Sequence, residues 1–255
     1  VGNFLFMNSW HSELQKKFQT NAVPNMAGGP KGITQFINTY QADDSRLDDT
    51  WLRGQQFDAE GNLLYGVYDK KGEPLVFSKE LPDGKYTNEM EGYRFNKMEV
   101  SPGSEWSCNT DIPLFRYSEV LMMKAECLLR LGKSGAGQLV TEVRERAFKN
   151  NPKKAMVTDE ELKANSAYQW GYVENYQITE KGDQTPVNLG RLFDERCWEF
   201  VWEGHTRRDM IRFSLYTTKS WLSHKPIGDN IVFPIPQEAL NSNPKLIQNP
   251  NYLSQ

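Results

Sequence analysis

The chain has 255 residues, with 30 Lys plus Arg against 33 Asp plus Glu, a formal charge of −3. That near-balance argues against sequence-independent nucleic-acid binding, which needs a basic surface to displace counterions, and against a polybasic membrane-surface protein. No stretch approaches the roughly 18 apolar residues of a transmembrane helix, and the length is enough for a substantial core in one large domain or two small ones. The start, Val1-Gly2-Asn3-Phe4-Leu5-Phe6-Met7, has no initiator Met and no charged leader, and reads as the middle of a longer protein. Cys108, Cys127 and Cys197 are odd in number and far apart, so neither a disulfide framework nor a Cys-x-x-Cys metal knuckle is expected.

Along the chain, Ser12 to Phe18 reads as a short helical stretch, followed by the loop Pro24-Asn25-Met26-Ala27-Gly28-Gly29-Pro30. Ile33, Phe36, Ile37 and Tyr40 have the spacing of a short amphipathic helix. Leu63–Tyr68 and Glu73–Ser78 flank Asp69-Lys70-Lys71-Gly72 as a small β-hairpin, and Tyr93, Phe95 and Lys97 begin a further strand. The strongest helical signal follows. Leu114, Tyr117, Val120, Leu121, Ala125, Leu128 and Leu129 recur at helical spacing, Gly132 caps the helix, and Leu139, Val143 and Ala147 line a second one. Residues 151–187 read as a long polar loop with a helical turn at Asp159 to Ala164. A third helix is expected from about Val187 to Glu203 and a fourth over Thr206 to Tyr216. The Pro-rich tail from Lys225 reads as extended or turning.

The fold class expected is therefore mainly α: a helical hairpin plus further helices, a loop-rich region and a small β-hairpin. Three regions are expected: a loop-rich 1–112, a helical scaffold 113–216 and a Pro/Asn-rich extended tail 217–255.

Motifs for chemistry are sparse. Gly132-Lys133-Ser134 lacks the upstream Gly of a phosphate loop and follows a helix, so it reads as a helix cap. His11, His205 and His224 lack ligand spacing, so no metal site is expected. The acidic run Asp43 to Asp49 lacks an EF-hand register and reads as a solvated loop. Glu195, Glu199 and Glu203 lie one turn apart on one helix face. Two such carboxylates can in principle serve a glycosidase, but Arg191, Arg196, Arg207 and Arg208 lie three to five residues from them. Opposite charge that close opposes the raised pKa a general acid needs, so ion-pair scaffolding is the reading. No catalytic residue, metal or cofactor is expected.

Aromatics are abundant: seven Trp, eleven Tyr and thirteen Phe. Trp10, Tyr40, Trp51, Trp106, Trp170, Tyr172 and Tyr176 sit in or beside polar loops. A flat ring flanked by polar edges suits a sugar, whose C–H face stacks while its hydroxyls are hydrogen-bonded. The candidate glycan contacts are Trp10 with His11, Asn25 and Met26 in the Gly-Gly-Pro loop, Trp51 with Arg53, Trp106, and a second cluster of Trp170 and Tyr172. Core packing is the competing role for each ring.

Four stretches then resemble a known family. They are Ile112-Pro113-Leu114-Phe115-Arg116-Tyr117-Ser118-Glu119 through Glu126; Leu139 through Arg146; Phe193-Asp194-Glu195-Arg196-Cys197-Trp198-Glu199-Phe200-Val201-Trp202-Glu203-Gly204-His205 through Arg212; and Phe233-Pro234-Ile235-Pro236 with Asn241 to Pro244 and Gln248 to Tyr252. In that order they are similar to the C-terminal part of the SusD/RagB family, and Asp43-Asp44-Ser45-Arg46-Leu47 with Trp51 resembles a weaker upstream element. The resemblance implies tetratricopeptide-like helix pairs in a non-catalytic, cofactor-free glycan-binding lipoprotein on the outer membrane of Bacteroidetes. It implies a TonB-dependent, SusC-like porin as partner, no nucleic acid, and membrane attachment only through a lipid anchor on an N-terminal part that this chain lacks. The rivals are a glycan hydrolase using Glu195 and Glu199, and a protein-interaction scaffold.

Overall fold

The structure, a computed structural model, describes residues 7–23, 29–85, 87–106, 110–226 and 231–252. It is helix-rich with a few small sheets. In the first part, α1 (Leu14–Phe18), α2 (Thr34–Ile37) and α3 (Arg46–Thr50) accompany β1 (Trp51–Leu52), β2 (Gly54–Gln55), β3 (Val76–Phe77) and β4 (Arg94–Phe95). β1 is antiparallel to β4 with Trp51 opposite Phe95, and β2 is antiparallel to β3 with Gly54 opposite Phe77. The expected hairpin forms around Asp69–Gly72: the Gly66 N–H donates to Glu73 O and the Leu75 N–H to Leu64 O, both at 2.8 Å. Met7, Trp10, Leu14, Leu52, Leu75, Phe77 and Phe95 make the core of this part.

The second part is built on α4 (Tyr117–Arg130), α5 (Ala136–Arg144), α6 (Asp159–Lys163), α7 (Gly190–Phe200) and α8 (Thr206–Arg212). Gly132 ends α4 at φ 65°, and the Lys133 N–H donates back to Leu128 O at 2.8 Å, the αL ending that glycine adopts without a Cβ clash. Thr158 and Glu161 form a capping box at the start of α6. Leu121, Met122, Ala125 and Leu129 of α4 share one core with Val140 and Val143 of α5 and Leu192 and Phe200 of α7. The hairpin therefore packs on the third helix, as its stripe requires. The stripe divides, however: Leu114, Tyr117 and Val120 are exposed.

Three expectations are corrected. Residues 151–187 are not one polar loop, because β5 (Gly171–Glu174) and β6 (Gln177–Glu180) form a hairpin there, extended by β7 (Trp221–Leu222) parallel to β5. Its two-residue turn, Asn175-Tyr176, takes φ 47° and 67°, the geometry that normally calls for Gly at the second position. Here the tertiary structure holds the tyrosine: its N–H donates to Pro82 O at 3.0 Å and its hydroxyl bonds Glu91. The tail is not wholly extended either. α9 (Gln237–Ser242) begins directly after Pro236, where a missing N–H costs nothing. Finally, the acidic run is not a solvated loop, since Asp44 and Arg46 are buried and bonded to each other at 2.6 Å.

Candidate aromatic binding site

Between the two parts lies an aromatic cavity of about 250 Å³. Trp51 sits at the first residue of β1, where pairing with Phe95 fixes its direction. Gly32 passes against its ring so closely that a Cβ there would lie 3.0 Å from Trp51 Cζ3. Phe36 of α2 meets Trp51 edge-on at 6.3 Å, and Trp202 lies 5.5 Å from Trp51. The opposite wall is Tyr168, Trp170 and Trp221. Tyr168 and Trp170 are 4.3 Å apart, and the parallel pairing of β5 with β7 brings Trp221 to 6.4 Å from Trp170. Phe193, Asp194 and Cys197 of α7 with Met210 of α8 close the floor.

Polar groups in this wall are few and perturbed. Burial, reinforced by the Arg94 charge, pushes the Lys31 ammonium down to about 7; it donates to Asn88 O at 3.1 Å and to the Thr87 hydroxyl. Burial raises the Asp194 carboxyl to about 6, opposed by the Ser166 hydroxyl at 2.5 Å and the Ala167 N–H at 2.7 Å. The buried Cys197 thiol is pushed well up by the same desolvation.

Of the sequence candidates, Trp51 and Trp170 meet in this cavity although 119 positions separate them. The others do not join them. Trp10 is corrected to a core residue: it is 1 % exposed, stacks on Phe18 at 4.1 Å, and its indole N–H donates to Phe95 O at 2.8 Å. His11 is likewise buried. Its Nδ1 accepts from the Glu13 N–H, so Nε2 carries the proton toward Glu89 Oε2 at 2.7 Å, and burial lowers its pKa. Neither side chain has a face free for a sugar. Arg53 is exposed and paired with Asp48, and Trp106 is 39 % exposed; neither lines the cavity. Tyr172 lies half-buried under the Lys225 ammonium, 4.3 Å from its ring centre, also off the cavity. Asn25 and Met26 lie outside the described residues. The residues that sequence reasoning missed are Trp202, Trp221, Tyr168 and Lys31. Their neighbours in sequence carry no common signal, since α7, β5 and β7 are brought together only by tertiary pairing.

The carboxylates of α7 form a buried scaffold. Glu195 takes Arg46 at 3.2 Å and Arg191 at 2.8 Å, and is also paired with Arg144. Glu199 takes Arg116 at 2.9 Å and pairs with Arg146. Glu203 takes Arg116 at 2.7 Å and pairs with Lys97, and this company holds its carboxyl below the ordinary range despite desolvation. With side chains wholly covered and flanked by guanidinium groups, Glu195 and Glu199 have the setting of structural ions rather than of a proton donor to a substrate.

The same sequence and fold recur in known proteins. The chain is 28% identical over 153 residues to the starch-binding protein SusD of Bacteroides thetaiotaomicron, which covers 56% of this chain and 22% of that protein. It is 27% identical over 188 residues to SusD-like protein P38 of Formosa agariphila, covering 72% and 32%. It thus spans between about a fifth and a third of the length of these relatives. The crystal structure of a SusD-like protein from Bacteroides fragilis superposes with a TM-score of 0.57 at 14% identity, over 97% of this chain and 51% of that one, a likeness of fold. The profile of the SusD family matches residues 9–230, which takes in both parts of the fold, the ion-paired α7 and every wall of the aromatic cavity, and so the chain belongs to the SusD family.

Proposed function

We propose that this chain belongs to a cell-surface glycan-binding lipoprotein that delivers its ligand to a TonB-dependent, SusC-like porin in the outer membrane, without catalysis and without a cofactor. The observation that carries the reading is the SusD-family match over residues 9–230, together with a relative named for starch binding. In this reading α4 and α5 act as a tetratricopeptide-like scaffold, and the ion pairs of α7 lock that scaffold to the first part. The aromatic cavity then grips part of the ligand, while polar surface around it takes the hydroxyls. Electrophoresis through gels containing single polysaccharides tests it. Retardation by at least one polysaccharide, with no release of reducing ends on incubation, is the expected result. Release of reducing ends, or free migration through every polysaccharide tried, would overturn it.

A further inference from the structure

We propose that the cavity between Trp51 and Trp170 takes a neutral aromatic ring, such as that of an aryl ester, rather than a bare sugar ring. Four observations lead there. The lining is almost wholly apolar: aromatic rings, Ile33, Val201, Cys197 and Met210. Its lysine and its aspartate are already engaged, Lys31 with Thr87 and Asn88, and Asp194 with Ser166 and Ala167. A pyranose buried here would find few partners beyond the Tyr168 and Thr206 hydroxyls, whereas apolar cavities of about 150 Å³ already admit a benzene ring.

The indole N–H groups of Trp170 and Trp202 have no hydrogen-bond partner among the described residues, and both nitrogens are sealed from the cavity space, so neither offers a bond to a sugar hydroxyl there. Lastly, Trp202 is held at φ 67°, a left-handed backbone that a bulky aromatic residue rarely adopts, and such strain collects at ligand sites. The strained residue and the apolar space coincide. That the ring arrives as a substituent on a glycan rests on the function proposed above; that the cavity accepts it does not.

Isothermal titration of the protein with methyl benzoate, and separately with glucose, tests the proposal. Saturable 1:1 binding of methyl benzoate is expected, with none by glucose at the same concentrations. Val201→Phe and Thr206→Phe, each placing a ring at the cavity, are expected to weaken methyl benzoate binding at least tenfold. Their melting temperatures report that both remain folded. No binding by the unsubstituted protein, binding unchanged in both folded variants, or glucose binding as well as methyl benzoate would overturn it. The glycan reading is judged independently: a protein that binds methyl benzoate but is retarded by no polysaccharide keeps the aryl cavity and loses the glycan.

Discussion

Lys31 and Glu195 show how burial acts on a single charge. Lys31 sits in an apolar wall, where its ammonium falls to about 7. Near pH 7 about half of it is neutral amine, against under about one part in a thousand for an ordinary lysine of pKa ~10.4. Acetic anhydride at pH 7 is therefore expected to acylate Lys31 ahead of the exposed lysines, at a rate that rises as the pH climbs through 7 and then levels. Peptide mass mapping over a pH series checks this, and a Lys31 that labels last would refute it. Glu195 is the opposite case, a buried carboxylate surrounded by Arg46, Arg144 and Arg191. Glu195→Gln leaves those guanidinium groups short of one negative charge in the interior. Removing one partner of a buried pair costs about 3–5 kcal/mol, which thermal or urea unfolding would register as a large drop in stability. The pairing of Glu195 with Arg191 was legible from their spacing, but its burial and its pairing with Arg46 and Arg144, 149 and 51 positions away, were not, and Arg196 and Arg208 pair instead with Asp209 and Glu119. The burial of Trp10 and His11 was not, because their partners, Phe95 and Glu89, lie 85 and 78 positions away and leave no trace in the polar residues beside them.

Helices and strands differ in how openly they advertise themselves. α4 and α5 carry a long apolar period and a glycine stop, so both were readable, and so was the packing of their stripe on α7. Leu121 is 7 % exposed within that shared core, and Leu121→Asp places an unpaired charge there. A loss of about 4 kcal/mol or more is expected. An unchanged melting temperature would mean that the α4–α7 contact contributes little. The β5–β6 hairpin stayed hidden for a physical reason. Its turn uses Asn175-Tyr176 without glycine, and the local backbone preference is overruled by bonds to Pro82 and Glu91 that no nearby residue announces. The same applies to the cavity: Trp51 and Trp170 were identifiable as aromatic candidates, but their meeting depends on β-pairing and on Gly32, features of three dimensions.

At the scale of the whole molecule, α4 and the residues just before it carry an exposed apolar surface. Leu114, Phe115, Tyr117, Val120 and Met123 all stand open to solvent, with Leu131 just past the helix end. Contiguous apolar surface of this kind is unusual on a protein that functions alone. The 255-residue chain is expected to bind a hydrophobic dye and to self-associate at high concentration. Phe115→Ser combined with Val120→Lys is expected to reduce both by several-fold while leaving the melting temperature within a degree or two. Dye fluorescence and sedimentation provide the check, and a dye-negative, monodisperse parent chain would contradict it.

The bonds from α7 to distant segments carry one more consequence, about chain continuity. Arg46 and Glu195 are 149 positions apart, Lys97 bonds Glu199 O across 102, and the Trp198 indole N–H donates to the Thr39 hydroxyl at 2.8 Å across 159. The backbone between them passes through an exposed stretch at Lys181 and Gly182. Residues 1–181 and 182–255, produced together as separate polypeptides, are expected to copurify in equal amounts, and the Glu195→Gln substitution to part them. Fragments that fail to associate would show that the intact peptide bond, and not the buried charges, keeps α7 in its place.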